Sequence, residues 1–336
     1  MDSSEVIVGG PAVSTDHVPA SEAFAVWSAL MSESVAPCAA DRIVDEPFRA
    51  VLTPYITAKP MTITMMEATT NVTRRRPHHV ARSGADTLIA GLILNGSIDV
   101  SAGGLDLHAP AGAMYLGDGS RAQRCHMTDF KCLLISVPRD RVIAASGVDE
   151  SRFPAAIKID STGHGRLIST FFRNLITLPA QSLQSVALFD AGIELLGAGI
   201  ALTSQQRPAE QATLALEREA VITFLHENLA DPRLDAEAIS RACQLSRRKL
   251  FRLLSDIDGG PIALLRRLRI ERACELLIAA PERTVESVAR ACGFTGTRNF
   301  YRLFRDQTGF TPAEYREHAL PRPLASPARS GRHVLR

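Results

Sequence analysis

Apolar positions along this chain change period several times. Ser21 to Val35 sets Phe24, Trp27, Leu30 and Met31 at helical spacing, with Ser21 as the expected cap. From about Phe48 to Pro138 the apolar runs shorten. MTITMMEA (Met61 to Ala68) and TLIAGLIL (Thr87 to Leu94) are brief and end in turn residues. Ile98 to Ser101 alternates, Ala102-Gly103-Gly104 turns, and Leu105 to His108 alternates again, which is a hairpin pattern. PAGAMYLGD and KCLLISVP complete the series. Short strands with turns about every ten residues predict a small barrel or jelly roll, able to hold a small ligand in its mouth.

The helical period returns at Gly165 to Leu178, with Leu167, Phe171, Leu175 and Leu178 on one side, and at the mostly apolar Ser185 to Thr203. Helices this apolar either cover the barrel or pair with a second subunit, and Gly192, Gly197 and Gly199 permit close approach. Ser204 to Thr213 is polar, contains Pro208 and reads as a linker. Leu216 to Leu229 is again amphipathic.

A repeat follows. Asp235, Ile239, Ser240, Cys243, Gln244, Leu245 and Ser246 match Thr284, Val288, Ala289, Cys292, Gly293, Phe294 and Thr295 at an offset of 49. One residue is then added, and Leu250, Arg252, Leu254 and Gly259 match Phe300, Arg302, Phe304 and Gly309 at 50. Each copy reads as a helix-turn-helix. Ser240 or Ala289 allows a close crossing, Gly293 supplies a left-handed turn that Gln244 makes less easily, and Ser246 or Thr295 caps the second helix. Pro261 to Ile278 forms one long helix between the copies, with Ile262, Leu265, Leu268, Ala273 and Leu276 able to face both. Two reading helices about 34 Å apart would enter successive major grooves of double-stranded DNA.

Charge supports this division. The net charge is only +2, but residues 210–336 carry 21 Lys and Arg against 16 Asp and Glu, and four arginines fall in the last 16 residues. Arg298 and Arg302 share a helix face beside Thr297 and Asn299, and Arg248 and Arg252 stand equivalently. Arg reads guanine and Asn reads adenine bidentately. Arg247 and Lys249 suit phosphate. Phe251 suits a thymine methyl or the core. Thr311 to Glu314 fits a capping box.

The six cysteines lack metal spacing and read as small core residues, with Cys125 and Cys132 as an alternative redox pair. His78, His79, His108 and His126 lack the spacing of a barrel metal site, and His78 and His79, adjacent on a strand, would point to opposite faces. No metal, cofactor or catalytic residue is expected. Without that spacing or a nucleophile motif the protein is expected not to be an enzyme, and without an apolar leader or a span long enough for a bilayer it is expected to be cytoplasmic.

GFTGTRNFYRLFRDQTGFTPAEYR and RLRIERACELL resemble the signature and connecting helix of the AraC/XylS family of bacterial transcription regulators, over about 110 residues. Trp27, Pro47-Phe48-Arg49 and the barrel pattern resemble an AraC-type sensing domain. The resemblance implies an α+β protein: a cupin-like β-barrel or jelly-roll sensor with flanking helices, plus an all-α domain of two helix-turn-helix units joined by a long helix. It implies a nucleoid-associated activator, more often than a repressor, working with RNA polymerase as a homodimer under a small-molecule effector whose pocket the sequence does not name. The expected division is a disordered arm (1–20), a sensing domain (21–160), a helical dimerisation region (161–203), a linker (204–213), a DNA-binding domain (214–320) and a disordered basic tail (321–336). The alternatives are a metal-dependent barrel enzyme fused to a DNA-binding domain and a ligand-independent DNA-binding protein.

Overall fold

The computed structural model describes residues 7–58, 61–83, 86–178 and 186–319. The basic tail and residues 1–6 of the arm lie outside them, as does Pro179. Two compact units divide between Ala220 and Val221. Among the described residues no helix is long and apolar enough to cross a membrane.

The first unit begins with Ile7–Val8 (β1), Val13–Ser14 (β2) and helix Ala23–Ser34 (α1), followed by Ala39–Arg42 (β3), Ala50–Ala58 (β4), Met61–Ala68 (β5) and Asn71–Arg75 (β6). A short helix, Pro77–Ser83 (α2), leads to Thr87–Ala102 (β7), Leu105–Pro110 (β8), Met114–Asp118 (β9) and Gln123–Pro138 (β10). Helix Arg139–Ser146 (α3), strand Ala156–Ile159 (β11) and helices His164–Leu175 (α4) and Val186–Thr203 (α5) complete it. All the strand pairs are antiparallel, with β1-β4-β5-β10-β7-β9-β11 as the main order.

Three sequence readings change here. Residues 7–17 are not a loose arm: β1 and β2 pair with β4, and the Thr15 hydroxyl accepts from the Ala50 N–H at 2.9 Å. The edge of β4 would otherwise leave its backbone groups unpaired. α1 starts one residue beyond the expected cap, on Glu22, and Ser21 makes no cap. His78 and His79 lie on α2, with ring centroids 4.0 Å apart, and not on a strand.

The runs Thr87 to Leu94 and Ile98 to Ser101 are one strand. Leu88, Ala90 and Leu92 face the helical layer, whereas Ile93, Ile98 and Val100 face the barrel interior. The change of phase occurs at Gly96, whose φ is +73° and where a Cβ would meet the Thr128 carbonyl oxygen at 2.2 Å. Its partner strand slips at the same level, around Asp129 at φ 27°, between Thr128 and Lys131. Leu133, Ile135 and Val137 therefore face the helices while Cys132, Phe130, Met127 and Cys125 all face inward. Paired bulges bend the two longest strands together and curl the sheet around an interior. Trp27, fully buried and 6.0 Å from the Phe48 ring, belongs to that interior cluster.

α5 is the covering helix. Phe189, Ile193, Leu196 and Ile200 are buried against the sheet, α3 and α4. Gly197 lies so close to α3 that a Cβ would meet the Ala145 Cβ at 2.5 Å and the Ser146 nitrogen at 2.8 Å. The stripe of α4 is offset by one from the reading above: Ile168, Phe172 and Leu175 are buried, and Leu167 and Phe171 only half-buried. Of the two roles open to these helices, covering the barrel is the one α5 fills, because a single chain consumes its apolar surface.

Helix Glu210–Asn228 (α6) contains the boundary between the units, so the chain is already helical over the last residues of the expected linker. The second unit continues with Ala236–Ala242 (α7), Arg247–Leu253 (α8), Gly260–Ala279 (α9), Val285–Ala291 (α10), Thr297–Thr308 (α11) and Pro312–Ala319 (α12). The first half of α9 gives Leu264, Leu265 and Leu268 to a cluster with Ile239, Leu250 and Leu254. Its second half gives Ile270, Ala273 and Leu277 to one with Val288, Phe300 and Phe304. One helix therefore carries both helix-turn-helix units, one on each half.

Candidate nucleic-acid interface

Local chemistry builds the two units alike. The Asp235 carboxylate accepts from the Ala238 N–H at 2.8 Å and the Thr284 hydroxyl from the Ser287 N–H at 3.1 Å, so α7 and α10 begin on equivalent caps. The turns match as well, the Leu245 N–H reaching the Ser240 carbonyl at 2.9 Å and the Phe294 N–H reaching that of Ala289 at 3.1 Å. Gln244 at φ 55° and Gly293 at φ 77° occupy the same left-handed position. Ser246 caps α8 through the Lys249 N–H at 3.2 Å, but α11 starts on Gly296 with no side-chain cap. The expected cap at Thr295 fails because the added residue is Gly296, which displaces the threonine one place from the helix start.

Behind the second turn sits Arg269, 8% exposed. Its Nε donates to the Leu229 carbonyl at 2.8 Å and its Nη2 to that of Asp231 at 2.6 Å, and the guanidinium lies 5.9 Å from the Phe294 ring centre. Burial pulls its pKa below the usual guanidinium value. The sequence offered no signal for this residue: it reads as one of several arginines on a long helix.

On α11, Phe300 and Phe304 are fully buried and Leu303 packs beside them, while Thr297, Arg298, Asn299 and Arg302 are exposed. On α8, Leu250 and Leu253 are buried, and Arg247, Arg248, Phe251 and Arg252 are exposed. Phe251 and Tyr301, equivalent at offset 50, are each 40% exposed. Phe251 is thus not core; its ring lies 5.7 Å from the Arg247 guanidinium. Arg302 donates through Nη2 to Asn299 Oδ1 at 3.0 Å and lies 3.6 Å from Asp306 through Nη1. Asn299 therefore holds an arginine in this state. The capping box of α12 forms: the Thr311 N–H donates to Glu314 Oε2 at 2.7 Å and the Glu314 N–H to the Thr311 hydroxyl at 3.3 Å.

No group of three or more His, Cys, Asp or Glu arranged to hold a metal occurs among the described residues. His108 and His126 flank Asp99, at 2.6 and 3.5 Å. Cys125 and Cys132 are free, seven residues apart along β10 and so separated by roughly 20 Å at strand rise, too far to form a disulfide with each other.

A family described as "Helix-turn-helix domain" matches residues 239–318. The transcriptional activator NphR of a Rhodococcus species is 24% identical over 269 residues, which are 76% of this chain and 78% of that protein. The HTH-type transcriptional activator RhaS of Escherichia fergusonii is 35% identical over 98 residues, 29% of this chain and 34% of its own length. A solved structure, the AraC-like transcriptional activator CuxR, is 19% identical with a TM-score of 0.48, covering 84% of this chain and all of that one. The matched segment contains most of both helix-turn-helix units, with α9 between them. Residues 239–318 thus match a helix-turn-helix domain, and the two relatives aligned with this chain are transcription activators.

Proposed function

We propose that the protein is a transcription activator that lays α8 and α11 into successive major grooves of its operator. The observation that carries this reading is the paired placement of Arg248 and Arg252 on α8 and Arg298 and Arg302 on α11. Each pair is exposed, opposite an apolar face packed on its own half of α9. The 20 residues of α9 span about 30 Å, close to the 34 Å of one DNA turn. Arg302, Arg298, Arg252 and Arg248 read base edges, and Arg247 and Thr297, at the starts of their helices, meet phosphates. Phe251 meets a thymine methyl. Asn299 releases Arg302 on binding and then reads a base beside it.

The barrel senses a small molecule, and two copies act together on RNA polymerase in the bacterial cytoplasm. The half-buried row Leu167 and Phe171 on α4, with Leu178 beyond it at 36% exposure, supports pairing of two copies. An effector changes DNA binding only by preferring one state of the protein.

Gel-shift titration tests the reading, once genome-wide mapping of bound DNA has supplied an operator. Arg302→Ala is expected to weaken binding by about 5- to 150-fold, the cost of one bidentate base contact, and to relax preference at one base pair. Arg247→Ala should instead weaken all sequences alike and lower the salt slope by about 0.9. Unchanged affinity and preference in Arg302→Ala would sink the assignment.

A further inference from the structure

The barrel interior encloses a cavity of about 70 Å³. Most of its wall is apolar, supplied by Met31, Met66, Ile93, Met127, Phe130 and Leu134. One end is polar. There the Tyr115 hydroxyl donates to Gln123 Oε1 at 2.6 Å, with Cys125 Sγ 4.0 Å from that hydroxyl. The Arg75 guanidinium, 5% exposed, stands at the same end. It donates from Nε and Nη2 to the Gly119 carbonyl, at 3.0 and 2.9 Å, and from Nη1 to that of Pro37 at 2.7 Å.

Arg75 and Gln123 also line an open hollow on the outside of the barrel, together with Arg74, Arg76 and Arg124. The polar end of the cavity is therefore the floor of a basic hollow. Arg74 pairs with Asp41, and the acidic residue of the hollow, Asp106, accepts from the Ser101 hydroxyl at 2.6 Å. The adjacent α2 adds His78, His79 and Arg82. Burial, and after it the charges of His78, Arg75, Arg76 and Arg82, hold His79 below the usual imidazole value.

Building on the regulator reading above, we propose that this cavity is the effector site and that the effector is a small carboxylate with an apolar body. It enters past Arg76 and Arg124 and rests with its carboxylate at the Arg75 and Gln123 end. Tyr115 occupies Gln123 Oε1, which leaves the Gln123 Nε2 amide as donor to the carboxylate. At about 10–15 Å³ per water-sized group, the space takes roughly five to seven non-hydrogen atoms, which suits one ring or a short chain. Met31, Met66 and Met127 can shift to admit slightly more. A polyol fits badly, because each hydroxyl against the apolar wall would lose a water partner without gaining another. A neutral apolar molecule would gain nothing from the basic rim.

Isothermal titration of the full chain tests this with sodium cyclobutanecarboxylate and sodium pentanoate, seven-atom probes that fit the space, against cyclobutanecarboxamide and 1-pentanol. The expected result is that at least one carboxylate binds and that its neutral counterpart binds at least tenfold more weakly. Arg124→Ala and Arg76→Ala alter exposed side chains and are expected to weaken the carboxylate severalfold, the more so at low salt. Gln123→Leu keeps the volume, removes the donor and should cost about tenfold. Equal binding of the neutral probe, no binding of any probe, or carboxylate binding unchanged in both Arg124→Ala and Gln123→Leu would overturn the proposal. The titrations contain no DNA, so their failure leaves the groove-reading assignment intact, and failure of Arg302→Ala in the gel shift leaves this site intact.

Discussion

Gly293 combines two constraints that neighbouring glycines separate. Its φ is 77°, and a Cβ there would lie 2.5 Å from the Leu229 carbonyl oxygen and 3.0 Å from both Nε and Nη2 of Arg269. In Gly293→Ala the left-handed backbone alone costs about 1–2 kcal/mol. The Cβ must then displace Arg269 from its carbonyl partners, and hydrogen bonds to a charged group contribute about 1.5–3 kcal/mol. The sum is about 3–5 kcal/mol, a loss of roughly two to four decades in the equilibrium constant for opening. Gly309, at φ 79° with nothing within 4 Å of a Cβ, isolates the backbone cost, so Gly309→Ala should lose about 1–2 kcal/mol. Gly296, at φ −137° with equally open space, carries neither constraint, and Gly296→Ala should lose only the preference of an N-cap for glycine over alanine, about 0.5–1 kcal/mol. Hydrogen exchange of peptides covering α10 and α11 reads these differences up to the stability of the unit. If Gly293→Ala costs no more than Gly309→Ala, Arg269 does not lock the turn; if it costs no more than Gly296→Ala, the left-handed strain is wrong as well. In the first copy, Gln244→Gly should gain about 0.5 kcal/mol, since relief of strain outweighs the entropy of glycine only slightly.

Glu219 is buried, 6% exposed, and burial pushes its carboxyl up to about 7. Because the folded pKa lies above the unfolded one, its contribution is fully present below about pH 4.5 and is lost as pH rises through 7, amounting to a few kcal/mol. Urea titrations of wild type and Glu219→Gln across that window should differ in slope, and parallel curves would rule out this origin. Gly197→Ala pushes α5 off α3 and should cost about 1–3 kcal/mol. Thermal unfolding followed through the fluorescence of Trp27, the one tryptophan, should show a fall of about 2–10 °C; an unchanged midpoint would mean that the helices separate without loss.

The helix-turn-helix pair was readable because its signals are local. Caps, a left-handed turn and apolar residues at 3.6 spacing each act within a few residues, and duplication repeated them at a near-constant offset. Asp235, Thr284, Gly293 and the inward Phe300 and Phe304 follow from such rules, as does Pro261 at the start of α9. Thr295 misled because a single added residue moves a cap by one place, which the offset of Leu250 and Phe300 already records. Arg269 was invisible because its partners lie 38 and 40 residues away.

In the first unit local pattern names the strands but not how they join. Alternation broken at Gly96 and Asp129 looks like strand ends, and becomes continuous strand only when two bulges face each other across a pair of strands remote in sequence. The same bend turns Cys125 and Cys132 inward together and sets Arg75 and Gln123 between an apolar cavity and a basic hollow. Periodicity along one chain thus sufficed for the two helix-turn-helix units, whose geometry is carried by neighbours in sequence. The barrel cavity depends on long-range pairing, on which face a bulge presents and on which helix covers the sheet, and those follow only from packing the whole unit.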